Sequence, residues 1–124
     1  MNKLEQIILK FGGELGADFI STDVVGMEDG LSIAGSSIDP NFNTIDASAR
    51  FSKVMELTAK ICSKVGMGKV EDNLTVSDKA YIIARFIGDG SYYWVVAVTR
   101  NATLGSVRMI MNEYAAQLNA MLPH

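Results

Sequence analysis

KVEDNLTVSDKAYIIARFIGDGSYYWVVAVT, residues 69–99, contains the patterns from which the sheet of this protein can be predicted. It contains three apolar segments of strand length, separated by turn residues at Ser77-Asp78-Lys79 and at Gly88-Asp89-Gly90. Connections this short join neighbouring antiparallel strands, because a parallel crossover needs a dozen residues or more. The stretch therefore predicts a three-stranded antiparallel unit.

The three segments differ in how completely they are apolar. Residues 69–77 alternate between apolar and polar side chains in part, which suits a strand at the edge of a sheet. Residues 80–87 are apolar on both parities apart from Arg85, and residues 92–99 are almost entirely apolar. A strand that is apolar on both parities is typical of the centre of a sheet that is covered on both faces.

A long helix is predicted just before this stretch, over residues 44–65. Asn43 or Thr44 would cap its beginning, and Gly66 would end it. At helical spacing one broad apolar face contains Ala47, Phe51, Val54, Thr58, Ile61, Cys62 and Val65. A second stripe beside it contains Arg50, Lys53, Leu57, Lys60 and Lys64. A helix on a sheet needs a single apolar stripe, so this helix has surplus surface: either a solvated face or a face for partners.

The remaining elements lie on either side. Apolar residues at helical spacing from Leu4 onward predict a first helix that is capped by Asn2 and stopped by Gly12, Gly13 and Gly16, which places Leu15 just beyond its end. Residues 17–25 and 31–36 predict two strands joined at the Asp29-Gly30 turn. A closing helix begins near Thr103, and its expected buried side consists of Leu104, Val107, Met111, Tyr114, Leu118 and Met121.

The element order α-β-β-α-β-β-β-α predicts one α+β domain over residues 1–124. Its five-stranded, mainly antiparallel sheet would be sandwiched by three helices. The 124 residues are 48% hydrophobic and 20% charged, which is typical of a globular chain. The formal charge of −3 argues against a general nucleic-acid partner.

The composition also restricts the chemistry. Cys62 is the one cysteine and His124 the one histidine, so the chain has no disulfide framework, thiolate zinc site or histidine-based catalytic site. We expect no metal and no cofactor. The longest apolar run, residues 92–98, is far shorter than the roughly 20 residues of a membrane span. With no secretory signal in the sequence, a cytoplasmic protein is predicted.

Motifs that could carry catalysis fail on their details. Gly66-Met67-Gly68-Lys69 resembles the end of a phosphate loop, but Ser63 and Val70 stand where glycine and a hydroxyl residue are required. Glu28 and Asp29 lie in a hairpin turn, where carboxylates normally face water. Asp23 fits a partly buried structural carboxylate. We therefore expect no enzymatic activity and no catalytic residue.

Between about Leu4 and Leu122, a set of turn and capping residues follows in a characteristic order. The set comprises Gly16-Ala17-Asp18, Asp29-Gly30 before Leu31-Ser32-Ile33-Ala34, Val65-Gly66-Met67-Gly68, Gly88-Asp89-Gly90 and Leu104-Gly105. In this order and spacing the chain resembles the roadblock family of dynein light-chain-like proteins, which includes bacterial small-GTPase regulators. The resemblance implies a fold related to the longin and profilin domains.

The resemblance also implies a homodimer in which the third strand pairs with its twin and the two long helices lie side by side. The expected dimer interface consists of Val70, Asn73, Leu74, Thr75, Val76, Val54 and Ile61. Such proteins are typically non-enzymatic and recruit or regulate a Ras-like small GTPase, in some cases by stimulating GTP hydrolysis. The candidate partner-binding residues are Arg50, Lys53, Leu57, Lys60 and Lys64. A small-ligand-sensing domain and a motor-complex adaptor without a GTPase partner are the alternatives.

Overall fold

The elements of the computed structural model, which describes residues 1–123, follow the predicted order. His124, the one histidine of the sequence, lies outside that range. The helices are α1 (Lys3–Leu15), α2 (Thr44–Lys64) and α3 (Leu104–Met121), and the strands are β1 (Phe19–Gly26), β2 (Ser32–Ser37), β3 (Asp72–Val76), β4 (Ala80–Ile87) and β5 (Tyr92–Thr99). A short 3-10 turn, Gly16–Asp18, connects α1 to β1.

The five strands form one sheet in the order β2-β1-β5-β4-β3, and every neighbouring pair is antiparallel. The fully apolar strand β5 is at the centre and the half-polar strand β3 is at one edge, as their sequences predicted. Strand β2 forms the opposite edge. The predicted α+β class and topology are confirmed.

Helices α1 and α3 cover one face of the sheet and enclose the larger part of the core. Phe11 of α1 lies edge-on to Trp94 of β5, with ring centroids 4.7 Å apart, and to Tyr114 of α3 at 5.5 Å. Trp94 is fully buried, and its indole N–H donates to Thr22 Oγ1 at 2.8 Å. Buried aromatic rings therefore join the two helices to the sheet.

Helix α2 alone covers the other face, over a smaller cluster formed by Val25, Met55, Ala84 and Tyr93. Asn43 caps the helix by accepting a hydrogen bond from the Asp46 N–H, as predicted. Because one helix spans a face of five strands, α2 leaves much of its own surface and part of the sheet uncovered.

Two local expectations at the ends of helices are wrong. Helix α1 does not stop at Gly12 and Gly13 but continues to Leu15 and ends at Gly16, which has φ 61°. Gly12 serves close packing instead, since a Cβ there would lie 3.3 Å from the Phe19 ring. At the other end, Met121 is 41% exposed, and the extended residue Leu122 takes the buried position.

Candidate protein interface

Polar groups, more than apolar contacts, fix helix α2 on the sheet. Asp23 of β1 is buried, and its carboxylate accepts hydrogen bonds from Ser32 Oγ at 2.5 Å and from Ser48 Oγ of α2. The Tyr93 hydroxyl donates to the Ser48 carbonyl at 2.5 Å. Burial raises the pKa of Asp23, and the two serine hydroxyls oppose that shift in part. This cluster determines which side of α2 faces the sheet.

The side of α2 that faces the sheet is formed by Ser48, Ser52 and Met55. The predicted apolar face is therefore turned about a quarter of a rotation away from the sheet, and Phe51 and Cys62 at its margin are half-buried. The apolar residues beyond that margin are exposed: Val54 by 43%, Leu57 by 59%, Ile61 by 51% and Val65 by 60%. We call these four residues the α2 flank.

The predicted basic stripe lies next to the α2 flank and points away from the sheet. Two of its members form ion pairs within the helix, Arg50 with Asp46 at 3.1 Å and Lys60 with Glu56 at 3.0 Å. Lys53 and Lys64 are exposed, and neither forms an ion pair within residues 1–123. Exposed pairs of this kind contribute about 0.3–0.5 kcal/mol each, so they add little to the fold.

The edge strand β3 adjoins the α2 flank. Asn73 Nδ2 donates to Thr58 Oγ1 at 3.3 Å and so ties the strand to the helix. Thr75 shares the face of Asn73, whereas Leu74 and Val76 lie on the opposite face and are 37% and 55% exposed. Val70 precedes the strand and lies in the segment that enters it. We call β3 together with the α2 flank the α2–β3 surface.

The opposite face of β3 is held by charge. Asp72 forms ion pairs with Arg108 of α3 at 3.3 Å and with Arg85 of β4 at 3.8 Å. These half-buried pairs fix the strand to its own chain on one side and leave its outer margin open to another chain.

Sequence reasoning missed two parts of this arrangement. Val65 was predicted on the apolar face of the helix but was left out of the expected dimer interface; it belongs to the flank, since it follows Val54 by eleven residues and Ile61 by four, the spacing of one helical side. The anchoring residues Ser48, Ser52 and Met55 also have helical spacing. A search for small residues at that spacing would have found Ser48 and Ser52, whereas a search for apolar residues passes over serine.

The described residues bring together no group of three side chains, from histidine, cysteine, aspartate or glutamate, that could hold a metal ion. Across residues 1–123, no helix has the length and apolar character that crossing a membrane requires. Between α2 and the sheet is a cavity of about 40 Å³ lined by Asp23, Ser48, Phe51 and neighbouring residues. That volume fits a water molecule but not the ligands of typical binding pockets, which occupy roughly 300–1,000 Å³.

Known structures share this arrangement of elements over nearly the whole chain. Myxococcus xanthus MglB superposes with a TM-score of 0.88 at 13% identity, over 98% of this chain and 95% of that chain. A roadblock/LC7 domain from Streptomyces avermitilis gives 0.84 at 17% identity, over 96% and 97%. Acanthamoeba castellanii profilin II gives 0.66 at 12% identity, over 95% and 98%.

No family model matches the sequence, and no curated protein matches it. The likeness therefore lies in the order and packing of the elements, at identities where fold is retained while sequence is not. The chain has the roadblock fold, a relative of the profilin fold.

Proposed function

We propose that this chain is a roadblock-family protein that acts as a homodimeric, non-enzymatic binding module for a Ras-like small GTPase. The observation that carries the proposal is the α2–β3 surface, where an exposed apolar helix flank adjoins an open strand edge. Apolar surface of this extent is typical of protein–protein contacts. A second copy would cover both parts at once.

In the proposed dimer, the β3 strands of two copies pair along their open edges. The two five-stranded sheets then become one ten-stranded sheet, and the two α2 flanks pack against each other. Leu57 belongs both to the α2 flank and to the predicted basic stripe, so pairing would leave it at the rim of the helix contact. The dimer would present two basic stripes side by side on one surface.

The paired helices would form the platform for the GTPase. Arg50, Lys53, Lys60 and Lys64 would contribute positive charge to the rim of the contact, which steers a partner and sets its orientation. We expect no catalytic residue from this chain, so any stimulation of GTP hydrolysis would come from reshaping the switch regions of the partner. A cytoplasmic location fits such a partner.

The ligand-sensing alternative receives less support. It requires an enclosed cavity with convergent polar groups, but the cavity beneath α2 holds about 40 Å³, and the larger concavities, of about 550 and 670 Å³, are grooves open to solvent. An adaptor without a GTPase partner would use the same α2–β3 surface, so the binding experiment separates it from the proposed function.

Reversing the charge of Lys53 and Lys60 tests the contact. Each Ras-like GTPase of the same genome is immobilised with GDP or a non-hydrolysable GTP analogue, and binding is measured by biolayer interferometry. For the GTPase that binds, we expect the double variant Lys53→Glu and Lys60→Glu to weaken the affinity at least tenfold, about 1.4 kcal/mol.

The matched control reverses two exposed lysines elsewhere, Lys10→Glu and Lys79→Glu, with the same change in net charge. We expect this control to bind about as well as the parent chain. Equal losses in both variants would show a non-specific charge effect and contradict the assigned surface. If no GTPase binds, the proposed partner is wrong, and the result favours the alternative of an adaptor without a GTPase partner.

A further inference from the structure

The second sheet edge, β2, is also open, and its free backbone groups can be identified. The Ile38 N–H donates to the Ile20 carbonyl at 3.0 Å, in register with the pairs Ser37↔Ser21 and Gly35↔Asp23. Hydrogen-bonded and non-hydrogen-bonded pairs alternate along an antiparallel ladder. The N–H and C=O groups of Gly35 and Ser37 therefore point away from β1, towards solvent.

Apolar side chains line this open edge. Leu31 is 57% exposed, Ile33 41% and Ile38 67%. Leu9 of α1, 47% exposed, lies across a groove from Ile33. Within Ser32–Ser37 there is no charged residue and no proline, the usual devices that protect a free edge from pairing. This edge is therefore suited to receive a further strand.

The charged side chains that line the grooves along this edge are all acidic. Three grooves border β2, and their charged lining side chains are Glu5, Glu28, Asp29 and Asp39. No lysine or arginine from residues 1–123 lines any of the three. The carboxylates lie near both ends of the strand, Glu28 and Asp29 beside the turn that enters it and Asp39 beyond its last residue.

We propose that the β2 edge binds an extended, basic segment of a partner protein, which adds to the sheet as an outer strand. Main-chain hydrogen bonds to Gly35 and Ser37 would hold the segment, and apolar side chains would contact Ile33 and Leu9. Basic side chains at both ends of the segment would meet the carboxylates.

The same charges argue against other occupants. A second copy of this chain would bring its own carboxylates to the edge, and an anionic membrane surface would be repelled. The site is independent of the proposed dimer, because β2 and β3 lie at opposite edges of the sheet.

The probe is a fluorescent nine-residue peptide with alternating valine and threonine in the centre and two basic residues at each end. A second peptide has glutamates at both ends. A third keeps the basic ends but carries methyl groups on its central backbone nitrogens, which removes the hydrogen bonds of a strand and leaves the charge unchanged. Affinities are measured by fluorescence anisotropy on the full chain, and the binding position by amide NMR.

We expect the basic peptide to bind saturably and to shift the amide signals of Gly35 and Ser37. The acidic and the methylated peptides should each bind at least tenfold more weakly. The variant Glu5→Lys and Glu28→Lys should weaken binding of the basic peptide at least tenfold, whereas the control Glu71→Lys and Glu113→Lys, with the same change in net charge, should not.

Three results would overturn the proposal. Equal binding of the methylated peptide would show attraction by charge alone, and absence of saturable binding of the basic peptide would show that the edge does not accept a strand. Shifts of the Gly35 and Ser37 signals with chain concentration, in the absence of peptide, would assign the edge to a second copy.

Discussion

At the scale of single residues, Asp23 shows how one polar side chain positions a helix. Its carboxylate accepts from hydroxyl groups of Ser32 and Ser48, and no ion pair compensates its charge within residues 1–123. Gly35 leaves the space for it, since a Cβ there would lie 2.8 Å from Asp23 Oδ1 and 3.1 Å from the Thr22 carbonyl. A charge buried without a cation costs stability that its hydrogen bonds recover in part.

The direction of the pKa shift at Asp23 predicts how stability depends on pH. Because burial raises the pKa of this carboxyl in the folded chain above 3.8, the folded chain binds its proton more tightly than the unfolded chain does. The contribution of Asp23 to the free energy of unfolding is therefore largest below pH 3.8 and is lost as pH rises through the folded pKa.

The variant Asp23→Asn removes this titration but keeps a side chain that can accept a hydrogen bond. We expect the stability of the variant relative to the parent chain, measured as the free energy of unfolding in urea, to increase as pH rises from about 4 to about 7. A constant difference between parent and Asp23→Asn would contradict the raised pKa.

At the scale of elements, α2 is bound to the sheet by less apolar contact than α1 and α3. Its sheet-facing side contains two serines, and Met55 is its one fully buried large side chain in the described structure. Met55 packs with Val25, Ala84 and Tyr93 beneath the helix. The attachment of α2 therefore depends on Met55, on the half-buried Phe51 that packs against the same cluster, and on one hydrogen-bonded cluster.

Truncation of Met55 tests this dependence. We expect Met55→Ala to lower the free energy of unfolding by about 2–4 kcal/mol, since it removes buried methylene groups and leaves a cavity. The control Met67→Ala, at a residue that is 77% exposed, should change it by less than about 0.5 kcal/mol. Urea denaturation followed by tryptophan fluorescence measures both, and a loss below about 1 kcal/mol for Met55→Ala would show that the polar cluster alone holds the helix.

At the scale of the whole molecule, the two sheet edges differ in what surrounds them. The β3 edge lies beside the apolar α2 flank and a mixture of acidic and basic residues, whereas acidic side chains border β2. Two copies that meet at β3 would therefore not bring only like charges together, as two copies that meet at β2 would. This difference supports the assignment of self-association to β3.

Charges placed in the α2 flank should therefore separate the dimer. We expect the parent chain to sediment with the mass of two chains, and the variant Val54→Asp and Ile61→Asp to sediment with the mass of one. A dissociation constant raised at least about 100-fold corresponds to about 2.7 kcal/mol, well within the cost of burying unpaired carboxylates.

The control for this experiment is Met109→Asp on α3, which is 64% exposed and lies on the other face of the sheet. It should leave the sedimenting mass unchanged. A parent chain that sediments as a single copy at all concentrations would contradict the proposed dimer. If only the α3 variant dissociated the dimer, the contact would lie on the face of the sheet that α3 covers, which would contradict the proposed α2–β3 contact.

The element order, the central place of β5 and the edge position of β3 could all be predicted from the sequence. These follow from local patterns: apolar residues on both parities of residues 92–99, partial alternation in 69–77, and turn residues between them. Helical spacing in the sequence also showed that α2 has more apolar and basic positions than a helix on a sheet needs, because this spacing alone shows how many stripes a helix carries.

The stripe of α2 that faces the sheet could not be predicted from the sequence. Periodicity ranks faces by hydrophobicity, and the apolar side would have been chosen, but Asp23 and Tyr93 draw Ser48 inward through hydrogen bonds between residues 25 and 45 positions apart. That rotation exposes the α2 flank. The open backbone groups of β2 are likewise visible only in the folded sheet. The acidic side chains gather around β2 only because folding brings α1, the β1–β2 turn and the segment after β2 to the same edge. A sequence pattern contains no information about which distant residues become neighbours.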